Sequence, residues 1–407
     1  MAALTAGAPL SALQPSSTRG EEVGSPLPSR EGAGAGSLPR RGALAFPALL
    51  LGADANAQSQ PPLAPPSGSG LHARAASKGL VFGAALHTRH LAEPGFAETF
   101  AAECGLVVGE GEQQWHRVER RPGEPDWAAP DSLATFAAGR DMLLRGHSLI
   151  WHQALPPWTE ALEDGAFAAA FDQRIMQAGT RYADRISSWD VVNEALRPED
   201  GRADGLRDTP LLRRLGPDWV ARAFRLARQA MPGAVLVYND FGTEHAAPDA
   251  RLKRRAVLRL LEGLRRDGVP VGAFGAQSHL TAGRPFDAAE WRGFLGEVEA
   301  LGLAILVSEL DVNDRALPAA EAPRDAAVAE LTRRFLDATL DCRAVRSVIT
   351  WCLCDRHSWI RTGREPYHRR TDAALPRPLP LDDALRRKPM WSAIATALDA
   401  APPRAPG

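Results

Sequence analysis

The chain has 407 residues, 45% of them hydrophobic and 24% charged, with 48 basic against 49 acidic side chains and a formal net charge of -1. That is an ordinary soluble composition with room for one sizeable core, and the charge balance excludes a nucleic-acid or polyanion partner held by charge. Ten tryptophans stand beside only three tyrosines; indole faces suit apolar or sugar surfaces, although several must simply fill the core.

Residues 1–75 are rich in Ala, Gly, Pro and Ser without helical or strand periodicity, and read as tail and linker. Within them, Arg40-Arg41 precedes a weakly apolar run at 42–53 and the small-x-small sequence Ala55-Asn56-Ala57. This order predicts a secretory signal of the twin-arginine kind, cleaved near residue 57, and hence a secreted or periplasmic protein. The run is too short for a stable membrane anchor, so no membrane association is expected after cleavage.

From residue 80 onward, apolar runs of strand length alternate with amphipathic stretches. Strands are expected at 81–86, 106–108, 143–149, 186–192, 234–238, 273–277, 304–308 and 347–351, with helical spacing at 219–231, 251–267, 290–301 and 324–340. Eight such repeats predict a single (β/α)8 TIM barrel over residues 76–400, with 401–407 a short tail. A doubly wound open sheet is the competing topology, but no Gly-rich phosphate loop follows the first strand. Cys104, Cys342, Cys352 and Cys354 do not make a disulfide framework and read as small buried hydrophobes, with a pairing of Cys342 and a strand cysteine as the lesser alternative.

A barrel of this kind places its chemistry at the C-terminal strand ends. The fourth expected strand runs through Ser188-Trp189-Asp190-Val191-Val192 into Asn193-Glu194, and the seventh through Ser308 into Glu309, Leu310 and Asp311. Two strand-end glutamates suggest paired acid and base work. The other ends offer Glu110 and Trp115; Arg145, His147, Trp151 and His152; Asn239 and Asp240; Gln277 and His279; and Trp351, Asp355, His357 and Trp359. Amides, carboxylates, imidazoles and indoles without a phosphate cradle describe a carbohydrate cleft, because sugars present hydroxyls and flat C–H faces. His147, His152, His279, Glu309 and Asp311 could in principle converge on a metal, but no HxH or HExxH spacing is present, so no metal and no cofactor are expected.

Arg145-Gly146-His147 through Trp151-His152, the box ending in Asn193-Glu194, Gln277-Ser278-His279, the Ser308-Glu309-Leu310-Asp311 box and Trp351 through Trp359 together resemble glycoside hydrolase family 10, whose typical activity is endo-1,4-β-xylanase. The resemblance spans roughly residues 80–398 in order and spacing. It implies a retaining hydrolase of xylan, working without a cofactor as a monomer, with Glu194 as general acid and base and Glu309 as nucleophile, their carboxyls about 5–5.5 Å apart. It further implies that Asn193 binds the sugar 2-hydroxyl and that His279, backed by Asp311, holds Glu309. Glu110, His147, Trp151, Gln277, Trp351 and Trp359 would line the sugar subsites, with His152 and Asp190 as supports or as ordinary structural residues.

The chain departs from the family after the second strand, where Glu-Asn, two residues and Lys-Trp are usual. Here the stretch is Glu110-Gly111-Glu112-Gln113-Gln114-Trp115, so glycine replaces the amide and glutamine the lysine, and Glu112 is a candidate stand-in. Cys352 and Cys354 stand where smaller or hydroxylic residues are expected and could reshape the pocket floor. Rival readings are a β-glycanase with another polysaccharide preference and a non-catalytic glycan-binding barrel. The basic segment 361–380 is expected to cover one end of the cleft.

Overall fold

The computed structural model describes residues 70–363, 368 and 370–404; the signal and linker readings, residues 405–407 and part of the segment 361–380 lie outside these. Eight strands, β1 (Val81–Leu86), β2 (Leu106–Gly109), β3 (Leu143–Gly146), β4 (Ile186–Asn193), β5 (Val235–Asp240), β6 (Ala273–Ala276), β7 (Ala304–Asn313) and β8 (Val345–Thr350), pair in sequence order. All the pairings are parallel, and β8 returns to β1 with Val81 opposite Ser347 and Ala84 opposite Thr350. The sheet is therefore a closed (β/α)8 barrel without free edges, as the repeat predicts.

Side-chain alternation along each strand builds two separate cores. Inside the barrel lie Ala85, Leu106, Val108, Leu143, Val237, Ala273, Leu306, Ile349 and Trp351. The neighbours one residue along, Ala84, Val107, Leu144, Leu236, Phe274, Ile305 and Val348, point outward and join the layer under the helices. The helix Trp219–Ala230 shows the matching face, burying Trp219, Val220, Ala223, Phe224, Ala227 and Ala230 at helical spacing.

The structure redraws several boundaries. The third strand ends at Gly146 rather than at 149; Leu149 N–H donates to Asp190 O at 2.9 Å, and Ile150–Trp151 pairs on its own with Val192 and Asn193 of β4. The sixth ends at Ala276, because Ser278 takes a left-handed φ of 64° before His279–Thr281 pairs with Asp311, Val312 and Asn313 of β7. Helices Phe96–Glu103, Ala128–Ala138, Asp164–Tyr182 and Pro389–Ala400 also form, on alanine-rich segments whose apolar periodicity is dilute.

Structure begins before residue 76 and extends past 400. Helix Leu71–Ala76 buries Leu71 and Ala75, and the buried Arg404 guanidinium donates to the carbonyls of Leu340, Cys342 and Val345. All four cysteines are free; Cys104, Cys352 and Cys354 are buried, but Cys342 is only half-buried beside Glu299, so it is neither a core residue nor paired. No described helix is long and apolar enough to cross a membrane.

Candidate active site

Strand β4 delivers Asn193 and Glu194 to the rim. Glu194 adopts a left-handed φ of 58°, which turns the chain out of the strand while its N–H still donates to Asn239 O at 2.9 Å. Its carboxylate accepts from Trp151 Nε1 at 3.0 Å, Gln277 Nε2 at 3.1 Å and Asn193 Nδ2 at 3.2 Å. Burial, and next the negative charge of Asp240, push this carboxyl above the usual range, and the Gln277 bond offsets only part of that. Asp240 is itself fully buried and fixed by Lys253 Nζ at 2.7 Å and by the Tyr238 hydroxyl.

Strand β7 delivers Glu309, which is 5% exposed, with Oε1 accepting from Asn239 Nδ2 at 2.7 Å and Oε2 facing His279 Nε2 at 3.2 Å. Burial alone would raise this carboxyl; the His279 bond and the charges of His147 and His279 outweigh it and hold Glu309 below the usual range. His279 Nδ1 lies 2.9 Å from Asp311 Oδ1, and Trp359 Nε1 donates to Asp311 Oδ2 at 2.6 Å. Burial disfavours charge on His279, but Asp311 and Glu309 on either side raise its pKa well above that of a free imidazole.

Amides join the two carboxylates. Asn239 Nδ2 donates both to Glu309 and to Asn193 Oδ1, the latter at 2.8 Å, and Asn193 Nδ2 reaches Glu194. Asn239 Oδ1 accepts from Ser308 Oγ at 2.6 Å. Gly275 makes this possible: a Cβ there would lie 2.2 Å from Asn239 Oδ1. Asn239 and Asp240 were legible only as the polar end of the fifth strand; their grip on the two glutamates depends on register that sequence does not display.

His147 sits against both carboxylate systems. Its Nδ1 lies 3.0 Å from Asp190 Oδ2 and 4.0 Å from Glu309 Oε1, while Arg145 holds Asp190 Oδ1. Burial works against protonation here too, but the Asp190 bond and the Glu309 charge raise the imidazole on balance. Trp351 meets the His147 ring edge-on at 5.1 Å, and Trp359 lies 4.9 Å from the His279 ring. Glu194, Glu309, Asn193, Gln277, His147, His279, Trp151, Trp351, Trp359, Asp190 and Asp311 thus form one contiguous rim. His152 stands behind it, edge-on to Trp151 at 6.2 Å; burial and then the cations Arg207, Lys253 and Arg197 push its pKa down to about 3.

On the β1, β2 and β8 side, Glu110 meets His87 Nε2 at 3.3 Å and Cys352 Sγ at 3.4 Å. Glu112 does not stand in for the missing sugar contacts. It folds back onto Thr88 N–H at 2.7 Å and His87 Nδ1 at 3.2 Å, bonds that outweigh its burial and hold it down at about 2. Trp115 is 1% exposed and bonded to Glu119, so it belongs to the core rather than to the cleft wall. Among the described residues the histidines and acids that cluster as metal ligands could are His90, Glu93 and His357; the two rings stack face to face at 3.7 Å, and Arg356 neutralises Glu93 at 2.8 Å.

A closed barrel whose rim offers one carboxyl biased toward its acid form and one biased toward its base, walled by indoles, defines the glycoside hydrolases of this fold. The chain belongs to glycosyl hydrolase family 10, whose family model matches residues 70–397. It is 32% identical over 343 residues to endo-1,4-beta-xylanase 5 of Pyricularia oryzae, covering 83% of this chain and 80% of that one. With endo-1,4-beta-xylanase B of Paenibacillus barcinonensis it shares 33% over 298 residues, 68% of this chain and 85% of the relative. The crystal structure of native xylanase 10B from Thermotoga maritima superposes with a TM-score of 0.73 at 25% identity, over 81% of this chain and 98% of that one.

Proposed function

We propose that the protein is a retaining endo-1,4-β-xylanase, exported and acting as a monomer without a cofactor. The observation that carries the reading is the opposed bias of Glu194 and Glu309, tied together through Asn193 and Asn239. In the first step the Glu309 carboxylate attacks the anomeric carbon while Glu194 gives its proton to the departing glycosidic oxygen, leaving a glycosyl ester on Glu309. In the second, ionised Glu194 takes a proton from water, whose oxygen attacks the same carbon and frees Glu309, so the anomeric configuration is retained. Asn193 donates to the sugar 2-hydroxyl in this reading, a bond that tightens as positive charge develops at the ring. His279 and His147 keep Glu309 ionised for its attack and stabilise the carboxylate again as water frees it in the second step, and Trp351 and Trp359 hold the ring. The names of the relatives support xylan as substrate, and the paired arginines before the apolar run at 42–53 support export.

The test is reducing-sugar release from β-1,4-xylan, cellulose and mannan by the wild type beside Glu309→Gln and Glu194→Gln. Xylan should be cut selectively, with losses of roughly 10³-fold or more in both variants, and the first product seen by proton NMR should be the β-anomer. A folded wild type that cuts none of the three polymers overturns the assignment.

A further inference from the structure

The polar groups around Gly111 do not follow the pattern of the rest of the rim. Gly111 is buried and is not among the glycines with positive φ, so its backbone conformation does not require glycine. What the missing side chain provides is space, and Arg117 uses it: a Cβ on Gly111 would lie 2.8 Å from Arg117 Nε and 3.2 Å from Cζ. Arg117 belongs to the short helix Trp115–Val118 and is exposed, and among the described residues no side chain hydrogen-bonds or ion-pairs with its guanidinium. The nearest acids are already engaged. Glu110 is taken by His87 and Cys352, and Glu112 by Thr88, His87 and Gly111 N–H. Gln114 is turned inward, its amide donating to Glu110 O at 3.4 Å. An unpaired guanidinium therefore lies over the residue that follows Glu110, on the cleft wall built by the ends of β1, β2 and β8.

We propose that Arg117 is a specificity-determining residue that reads a carboxylate on the glycan, so that this side of the cleft favours chains carrying uronic acid branches over unsubstituted ones. The proposal rests on the xylan reading above and names the decoration. A planar guanidinium offers two parallel N–H groups to a carboxylate, a match that a neutral hydroxyl cannot reproduce and that a lysine meets only as a point charge. Gly111 and Arg117 form a single device in this reading: the glycine clears the wall and the arginine occupies it.

Titration calorimetry on the full chain, with xylotetraose and xylotetraose bearing one glucuronic acid branch, tests the assignment; every protein carries Glu309→Gln so that neither oligomer is cut, and wild type here means Gly111 and Arg117 unchanged. Wild type should bind the acidic oligomer about tenfold more tightly, in keeping with one charge-assisted contact. Arg117→Ala should bring the two affinities to within about twofold. Arg117→Lys should keep part of the preference, and Gly111→Asn, which evicts the guanidinium, should behave like Arg117→Ala with the charge still present. The wild-type preference should also shrink on raising salt from about 0.05 to 0.5 M, because the group is exposed. Equal binding of both oligomers by wild type, or a preference that survives in Arg117→Ala, overturns the assignment and leaves the xylan reading standing. Binding of neither oligomer overturns both.

Discussion

Asn239 and Gln277 each donate an N–H to a different carboxylate, and that difference has a testable consequence in pH. Hydrogen bonds to the ionised form lower a carboxyl pKa, so removing either donor raises the pKa of its partner. In the mechanism proposed above Glu309 attacks in its ionised form, so its titration sets the acid limb of kcat/KM, and Glu194 acts in its protonated form, so its titration sets the alkaline limb. Asn239→Ala removes the 2.7 Å bond to Glu309 and should shift the acid limb to higher pH, narrowing the profile. Gln277→Ala removes the 3.1 Å bond to Glu194 and should shift the alkaline limb to higher pH, widening it. Asn239→Ala loses a bond to a charged group worth about 1.5–3 kcal/mol, so its kcat/KM at the optimum should fall roughly 10- to 100-fold, whereas Gln277→Ala, whose partner acts in its neutral form, loses about 0.5–1.5 kcal/mol and should fall roughly 2- to 10-fold. Profiles measured on xylotriose decide it. If both variants move the same limb, or neither moves any, the assignment of the two glutamates to separate limbs is wrong.

At the scale of elements, much of the rim depends on segments that leave the strands rather than on the strands themselves. Glu194, Ser278 and Cys352, at the ends of β4, β6 and β8, all hold positive φ values of 58°, 64° and 78° without being glycine. Sequence reading finds the apolar runs because each strand is buried on both faces, and it finds the polar residues at their ends. It cannot find these turns, because no glycine marks them, and so it carries the sixth strand through Gln277. The return segment after the eighth strand is similarly opaque. Lys388, just before helix Pro389–Ala400, is buried; its Nζ donates to Asp355 at 2.9 Å and to the carbonyls of Arg377 and Leu379 at 2.8 and 3.1 Å. Asp355 in turn accepts from Leu379 N–H at 3.0 Å, so one ion pair staples this segment to the end of the barrel. Burial raises the Asp355 carboxyl to about 6 even with that ammonium beside it. Lys388→Met should therefore cost about 3–5 kcal/mol near neutral pH, where Asp355 keeps only the Leu379 N–H and Arg361 at 3.9 Å and must either stay charged against its burial or take up a proton to fold. The loss should shrink below pH 5, because a protonated Asp355 no longer needs the cation. Asp355→Asn with Lys388→Met should recover most of the loss at pH 7. Urea unfolding of wild type and the two variants at pH 5 and 7 measures each term, and a single-variant cost independent of pH would remove Asp355 ionisation from the account.

For the molecule as a whole, the barrel separates chemistry at one end from closure at the other. The opposite end is tied where the chain's first and last described segments meet. Glu103 accepts from Leu71 N–H at 3.0 Å, from Trp391 Nε1 at 3.0 Å and from Arg387 at 2.7 Å, joining helix Leu71–Ala76 to helix Pro389–Ala400. Arg404 N–H donates to Lys78 O at 2.8 Å, and its guanidinium spans carbonyls at the end of helix Glu321–Leu340 and the start of β8. The repeat makes the barrel legible from residue 80 onward, but these ties are made by single polar side chains, Glu103, Arg387 and Arg404, whose partners lie far off in sequence, which is why 401–404 reads as tail. Because the strand N-termini carry stability and the C-termini carry chemistry, damage at the two ends should separate cleanly. Arg404→Ala takes the guanidinium donor from the buried carbonyls of Leu340 and Val345 and one of two donors from Cys342 O, and should lower stability by about 2–4 kcal/mol. Its kcat/KM on xylan at 25 °C should stay within about twofold of wild type, since no group in the rim changes partner. Asn239→Ala should show the reverse weighting, with the larger loss in turnover. Calorimetric melting and initial rates on the same preparations make the comparison; an Arg404→Ala protein that melts like wild type but turns over slowly would mean that closure at the base and geometry at the rim are coupled through the strands.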